Sequence, residues 1–400
     1  MKKKILFVIN TLGHAGAEVA LLELFKALDP DKYELSLYVL LGQGELMDRV
    51  PSYVKILNKD YKNVSVLSSE GKANMIKKIV LSSVRRGTLI RRFPYLATNL
   101  VRMIKKGKIL PEKLLWRIVA DGADRFKEEY DLAVAYLEGG SSYYTADYVN
   151  AKKKAAFIHV DFERAGYGRK LDLETYSKFD RIFTVSGEVK ESFIKIYPEC
   201  SSKTFIFRNI LDVNGIKEKA KEKGGFTDDY EGVRLLTVGR LTWQKAYDVA
   251  IEAMALLKKE CRNVRWYVLG EGPERDMLEK KISQLGLKDD FILMGAVQNP
   301  FPYYVQSDIY VHATRFEGKS IAIQEAQALG CAIVASDCSG NREQIDQGKD
   351  GLLCGFSAEE IKDAILELVR DENRRRAFGK AASKRQLIFK EDLEMLYEML

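Results

Sequence analysis

The sequence predicts an α/β protein made of two facing, Rossmann-like doubly wound domains, each a parallel sheet wrapped by helices. Three observations carry this. The 400 residues exceed what one hydrophobic core organises, so two domains of roughly 200 residues are expected. Short apolar runs alternate with amphipathic segments of helical length through both halves. A polar stretch rich in Lys and Gly, from Asn214 to Gly232, interrupts that alternation once.

In the first half the apolar runs are Ile5–Ile9, Leu35–Leu40, Leu132–Leu137, Ala155–His159 and Arg181–Val185. In the second they are Val233–Val238, Val264–Leu269, Phe291–Met294, Asp308–His312 and Ala332–Ala335. The interruption, in which no period holds, divides the chain into domains 1–208 and 209–385, with 386–400 a terminal helix packing back toward the first. Facing sheets of this kind take ligands at the carboxyl ends of their strands, around a shared interdomain cleft. The loops there are where function is sought.

With 46% hydrophobic and 30% charged residues, no repeat and no Pro/Gly/Ser tract, the chain reads as globular throughout. Lys2-Lys3-Lys4 has the charge of a signal peptide's opening, but Ile5–Ile9 is too short an apolar run and Asn10-Thr11 ends it, so a buried first strand is expected. No segment approaches the roughly 20 apolar residues of a membrane helix. Five cysteines, at 200, 261, 331, 338 and 354, form an odd set without CxxC spacing, which argues against a disulfide framework and fits a reducing cytoplasm. His14, His159 and His312 are far apart in sequence, and no histidine metal site is expected.

The net charge of +7 is unevenly placed. Between Lys72 and Arg117 stand 13 Lys and Arg against one acid, Glu112, a local charge of +12 that leaves the rest of the chain at about −5. Ile76, Ile79, Val80, Val84, Leu89, Ile90, Phe93 and Leu96 are interleaved with it. Such a block is either a basic amphipathic surface that meets anionic lipid headgroups or a solvated helical face. No nucleic-acid partner is expected.

After the first strand, Leu12-Gly13-His14-Ala15-Gly16-Ala17-Glu18 brings small residues to a helix start near Ala17, which lets backbone N–H groups approach an anion or a sugar. A purely structural turn reads equally well. The dinucleotide fingerprint GxGxxG is absent, because position 18 is Glu and Gly270-Glu271-Gly272 is followed by Arg275, so a simple NAD-binding reading loses its support. The strand ending at Val238-Gly239 runs into Arg240 and Lys245 before a helix from about Tyr247. Two cations beside a helix N-terminus suit a diphosphate that gains charge as it leaves, surface solvation being the alternative.

Glu317 and Glu325 stand eight apart, with a helix expected from near Ser320 that leaves Glu317 in the preceding loop. Eight helical residues rise about 12 Å, against roughly 5 Å between the two carboxyls of a retaining glycosidase, which argues against a hydrolase pair. The spacing suits two carboxylates gripping hydroxyls on different parts of one extended ligand, with the N–H groups of Gly318, Lys319, Ser320 and Ile321 offered to phosphate. Either glutamate alone would ordinarily be a cap or surface residue.

Taken together, Glu317-x7-Glu325, Val238-Gly239-Arg240 with Lys245, Gly295 with Asn299-Pro300-Phe301-Pro302-Tyr303, and Gly330, Ala335-Ser336-Asp337, Gly340 and Glu343 resemble retaining glycosyltransferase family 4, the group 1 glycosyl transferases of the GT-B fold. The resemblance covers nearly the whole chain and is strongest from 233 to 354. The first half contributes Gly13 to Glu18, Tyr136-Leu137-Glu138-Gly139, Ile158-His159-Val160-Asp161 and Phe183-Thr184-Val185-Ser186. The family often reads Gly-Gly-Ala-Glu where this chain has Ala15-Gly16-Ala17-Glu18, a departure that slightly narrows the approach for an acceptor.

The resemblance implies retaining, metal-independent transfer of a hexose-type sugar from a nucleotide-sugar, UDP-linked, to a lipid-linked or cell-envelope glycan acceptor, with no cofactor. It places Arg240 and Lys245 on the donor diphosphate, Glu325 on the ribose, Glu317 on the transferred sugar, the backbone of Ala296 and Val297 on the base, Gly16 on the donor and His159 facing the donor sugar. The implied location is the cytoplasm, with the basic block at the inner face of the membrane. A sugar-nucleotide epimerase or phosphorylase of the same fold, or a catalytically silent nucleotide-sugar-binding partner of another transferase, are the alternatives.

Overall fold

The computed structural model describes residues 2–105, 107 and 110–400, without the side chain of Glu112. Met1 and, in the basic block, Lys106, Lys108 and Ile109 lie outside the described residues. The chain divides into two compact units. One runs through Ile210 and takes back Phe389–Leu400, and the other is Leu211–Ile388, which sets the divisions two or three residues later than the sequence reading.

The first unit is a seven-stranded sheet of β1 (Lys3–Ile9), β2 (Tyr33–Val39), β3 (Val54–Ile56), β4 (Tyr130–Ala135), β5 (Ala151–Ile158), β6 (Arg181–Thr184) and β7 (Thr204–Ile206), ordered β3-β2-β1-β4-β5-β6-β7. The second is six-stranded, with β8 (Val233–Val238), β9 (Val264–Leu269), β10 (Phe291–Gly295), β11 (Ile309–His312), β12 (Ala332–Ser336) and β13 (Leu352–Cys354), ordered β10-β9-β8-β11-β12-β13. All neighbours are parallel. Ile5 to Ile9 are wholly buried, because helices cover both faces of such a sheet and its central strands must be apolar on both.

Each of the ten apolar runs read from the sequence falls on a strand, five of them overrunning it by one or two residues: Leu40, Tyr136 and Leu137, His159, Val185 and Asp308 lie just outside. The three strands it missed, β3, β7 and β13, are three residues long and stand at sheet edges. So short a segment, paired on one side, carries no periodic signal. The aperiodic stretch between the domains is also corrected in part, since Asp212 caps a short helix, Val213–Lys219, by accepting from the Gly215 N–H.

In the first unit the helices that matter below are α1 (Gly16–Ala27), α2 (Ser69–Val84), α3 (Thr88–Lys105) and α4 (Pro111–Gly122). The terminal helix Lys390–Tyr397 belongs to this unit too. Its Asp392 is buried and accepts from the Arg208 N–H at 2.7 Å and the Arg208 guanidinium at 3.0 Å. Tyr397 stacks on Tyr33 at 5.8 Å, and Leu396 joins the core of β1 and α1. We expect Leu396→Ala to cost about 2–5 kcal/mol of stability, read by urea denaturation. A loss below about 0.5 kcal/mol would mean that the helix is only loosely attached.

Candidate active site

In the second unit the strand order turns round between β8 and β11, so the loops leaving these neighbours diverge and open a crevice at their carboxyl ends. After β8 the chain passes Gly239 and Arg240 to a 3-10 turn, Trp243–Lys245, and Ala246 takes a left-handed backbone, φ 51°. The helix Tyr247–Glu260 then starts without a side-chain cap. Arg240 is exposed and forms no ion pair among the described residues.

Glu317, in the loop after β11, meets this turn. Its Oε2 pairs with Lys245 Nζ and lies 3.4 Å from Nε2 of His312, the buried last residue of β11. His312 Nδ1 stands 3.1 Å from Tyr310 Oη. Burial pushes the Glu317 carboxyl up, but the Lys245 ammonium and the His312 ring outweigh it and hold the group well below the usual carboxylate range. The same burial, with Lys245 nearby, pushes His312 down against the pull of Glu317. At neutral pH the site therefore holds an ionised Glu317, a charged Lys245 and a neutral imidazole.

The two loops are knitted so that this pair has little freedom. Gln244 Nε2 donates to the Phe316 carbonyl at 2.9 Å, and the Gln244 carbonyl accepts from the Arg315 N–H at 2.8 Å and Thr314 Oγ1 at 2.9 Å. Arg315 forks onto Asp248 at 2.7 and 3.0 Å and lies over the Trp243 ring. Thr314 in turn exchanges two hydrogen bonds with the Ser336 hydroxyl at the end of β12. A Cβ on Gly340 would collide with the carbonyls of Glu317 and Gly318, so glycine at 340 is what lets this loop lie so low.

The helix Ile321–Ala328 is capped by Ser320. The Ser320 N–H donates to Gln344 Oε1 at 2.8 Å, and Gln344 Nε2 donates back to the Ser320 carbonyl at 2.8 Å. That corrects one expectation: the Ser320 amide, offered to phosphate in the sequence reading, is already bound inside the fold. Glu325 lies in the helix as expected, apart from Glu317, and accepts from Tyr304 Oη at 2.9 Å. Burial raises its carboxyl to about 7, the Tyr304 hydrogen bond opposing. Ala296 and Val297 follow β10, with Ala296 exposed and Val297 packed against the core. The backbone around Gly239, Gly270 and Gly295 is drawn together by a Gly270 N–H to Gly295 carbonyl bond of 2.8 Å.

The first unit shows the same plan, its strand order turning between β1 and β4. Gly16 is exposed at the start of α1, which has no side-chain cap. His159 immediately follows β5; its N–H donates to Glu138 Oε2 at 3.0 Å and its ring lies against Tyr136. Burial pushes the imidazole down to about 3, a hydrogen bond to the Tyr136 backbone opposing. Nε2 is buried without a hydrogen-bond partner among the described residues. A neutral ring held through its other nitrogen leaves that Nε2 an acceptor, suited to a hydroxyl donor.

Sequence reasoning missed His312, Arg315, Asp248 and Gln344. His312 was visible only as an isolated histidine at the end of an apolar run, five residues before Glu317. Nothing in the sequence joins Arg315 to Asp248 or Gln344 to Ser320, since each contact is made by folding alone. Among the described residues no three His, Cys, Asp or Glu side chains group as metal ligands.

Residues 217–385 match the family of glycosyl transferases group 1. Over 216 residues the chain is 31% identical to the N-acetylgalactosamine-N,N'-diacetylbacillosaminyl-diphospho-undecaprenol 4-alpha-N-acetylgalactosaminyltransferase of Campylobacter jejuni, covering 54% of this chain and 57% of that protein. It is 25% identical to the poly(glycerol-phosphate) alpha-glucosyltransferase of Bacillus subtilis, over 51% of this chain and 30% of the relative. The chain thus spans well under two thirds of these curated relatives. The crystal structure of Anabaena HepE with UDP-glucose superposes on it over 99% of each chain, with a TM-score of 0.69 at 16% identity. The fold is that of the GT-B glycosyltransferases.

The Lys245 and Glu317 pair yields a stability test. Lys245→Met leaves a nearly buried carboxylate beside a neutral imidazole, and we expect a loss of about 1–3 kcal/mol. Adding Glu317→Gln should recover much of it, because the stranded charge is gone. Simple additivity of the two losses in urea denaturation would show that the pair is not coupled.

Proposed function

We propose, from the membership of residues 217–385 in the glycosyl transferases group 1 family, that this chain moves a hexose-type sugar from a UDP-sugar to a lipid-linked or cell-envelope glycan acceptor, with retention of configuration. The observation that carries the reading is the ionised Glu317 gripped by Lys245 and His312 at the turn in strand order, where the loop after β8 also carries an exposed Arg240 and leads into an uncapped helix N-terminus. The undecaprenol-linked substrate in the name of the Campylobacter relative supports the acceptor class, and the UDP-glucose complex of HepE supports the donor.

Breaking the bond from the sugar's anomeric carbon to the diphosphate loads charge onto the departing phosphate. Arg240 has no carboxylate to share itself with, and Lys245 is ordered in advance by Glu317, so both can meet that charge with little reorganisation. These cations take the part a metal plays elsewhere, and we assign the reaction no resident metal or other cofactor. Glu317, ionised, accepts hydroxyls of the transferred sugar. Glu325 accepts the ribose hydroxyls, and the backbone of Ala296 and Val297 receives the base. Gly318, Lys319 and Ile321 remain the donor-side residues of the capped loop, and Gly16 is assigned to the donor from the first unit. His159, neutral throughout the physiological range, offers Nε2 to a sugar hydroxyl rather than a proton to the leaving group.

A thermal-shift panel of nucleotide sugars, followed by nucleotide release measured in EDTA with and without a polyprenyl-diphosphate-linked glycan, tests the whole reading. We expect one UDP-sugar to stabilise the protein and release to require the acceptor. Release that ignores the acceptor would point to a hydrolase or epimerase, and abolition by EDTA would overturn the metal-independent assignment.

Two predictions test the donor contacts. Arg240→Ala and Lys245→Ala should each weaken UDP binding about 10- to 150-fold and uridine binding little, since only the phosphates receive a charge-assisted contact. Equal losses in calorimetric titration would refute the phosphate roles. For Glu325, a free-state value of about 7 means that the ionised form, the stronger acceptor, grows as pH rises. The affinity of uridine, which carries the ribose without a titrating phosphate, should therefore increase from pH 6 to pH 8 and level off. In Glu325→Gln the profile should be flat, and an unchanged slope in that variant would remove Glu325 from the ribose.

A further inference from the structure

The basic block was read from sequence as a count of charges, and the structure separates the charges that serve the fold from those that face outward. Arg117 is 1% exposed, bound to Asp147, the Asp172 carbonyl and Thr175. Arg91 and Arg92 both grip the buried Asp121, and Arg85 pairs with Asp124. These four cations hold α2, α3 and α4 in place. Lys72, Lys77, Lys78, Arg86, Arg102 and Lys105 form no ion pair among the described residues.

α3 is amphipathic in an unusual sense. One face is docked: Thr88, Tyr95, Asn99 and Met103 are buried, with Tyr95 Oη donating to the Leu171 carbonyl and Asn99 Nδ2 to that of Lys170. The opposite face carries Leu89, Ile90, Phe93, Leu100, Val101 and Ile104, all exposed, Ile90 at 84% and Phe93 at 65%. Their spacing keeps them on one stripe along 18 residues, about 27 Å of helix. α2 adds Ile76, Val80, Leu81 and Val84, and the two helices meet at a tight corner where Arg86 takes a left-handed backbone, φ 58°. Soluble monomers rarely leave a contiguous apolar patch of this extent uncovered.

We propose that α2 and α3 form a membrane-docking surface, with the α3 stripe lying in the headgroup region of an anionic bilayer and the unpaired cations flanking it. Charge decides the occupant. From Ser69 to Lys105 the only acid is Glu70, which pairs with Lys62. A second copy of this chain would set like charges face to face, whereas anionic headgroups complement them. A single exposed helical stripe on helices that carry Lys and Arg and almost no acid is also the shape of an interfacial anchor rather than of a groove for a peptide. Among the described residues no helix is long and apolar enough to cross a membrane, so attachment would be to one surface. The inference deepens the reading above, whose lipid-linked acceptor it would serve. Its test uses neither donor nor acceptor, so the two can fail separately.

The full chain is sedimented with vesicles of phosphatidylcholine alone or with phosphatidylglycerol added, at low and high salt. We expect binding to the anionic vesicles that weakens with salt. Lys72→Gln, Lys77→Gln and Lys78→Gln together should lower the partition coefficient about 100-fold, and Ile90→Ser with Phe93→Ser should abolish binding at high salt, while both variants keep the wild-type urea unfolding transition. Phe93→Trp, a conservative change, should gain fluorescence quenching by bromolipid that wild type lacks. No binding to anionic vesicles at low salt, or no added quenching at position 93, would overturn the proposal. So would a concentration-dependent dimer that Ile90→Ser with Phe93→Ser dissolves, since the face would then be a self-interface.

Discussion

A carboxylate almost out of water has to be gripped, and the second unit is arranged around gripping Glu317. Lys245 and His312 converge on a single oxygen. One comes from the turn after β8 and the other from the last residue of β11, neighbours in the sheet though 67 residues apart in the chain. For the two to meet, the loops after β8 and β11 must be fixed relative to each other, which Gln244, Thr314 and the Arg315 fork onto Asp248 accomplish. The desolvation that makes the pair costly in isolation is also what makes its field strong at the crevice. A Lys245 ordered by this pair would need little reorganisation to meet the anionic donor proposed above.

How much of this was legible depends on whether a feature is local. The long central strands announce themselves because burial on both faces forces continuous apolar runs, as in Ile5–Ile9 and Val233–Val238. β3, β7 and β13 do not, because three residues at a sheet edge need no pattern. Glu317 and Glu325 could be read as a separated pair from helical rise alone, and Ser320 as the residue before the helix. The Ser320 amide was misassigned because its partner, Gln344, lies 24 residues on and reaches it only through the turn around Gly340. His312 was unreadable for a different reason. A histidine closing a buried strand looks the same in sequence whether it packs or positions, and only the 3.4 Å approach to Glu317 tells the two apart.

The basic block shows how a charge count misleads when the fold is unknown. A local +12 suggests a uniform field, yet Arg117 sits over the Tyr143 ring at 3.8 Å, wholly inside. Asp121, likewise buried, neutralises part of the charge on α3. Those interior cations raise no potential at the surface comparable to that of exposed lysines. What survives is a smaller set of cations without a carboxylate partner among the described residues, carried by the same two helices as the apolar stripe. Apolarity and charge act there through different distances, since attraction to headgroups decays over about a Debye length whereas apolar burial acts only on contact. A surface carrying both is selective for a partner that is anionic at its rim and apolar beneath.

The buried titratable groups extend the same logic to function. His159 and Glu317 lie just beyond the carboxyl ends of strands and Glu325 in the helix Ile321–Ala328, and their surroundings have pushed them apart: burial takes His159 down to about 3 and Glu325 up to about 7, while Glu317, alone in having a cation at hand, is firmly ionised. Burial by itself would have neutralised all three, so Lys245 is what separates an assured negative charge from groups that change state with their surroundings. Within the second unit, Glu325 near its midpoint carries less fixed charge than Glu317, and the charge of Glu317 is screened by the cation it shares. By holding Glu317 ionised against Lys245 and leaving Arg240 exposed in the same loop after β8, the second unit keeps cationic side chains at the carboxyl ends of β8 and β11, where the donor proposed above would need them.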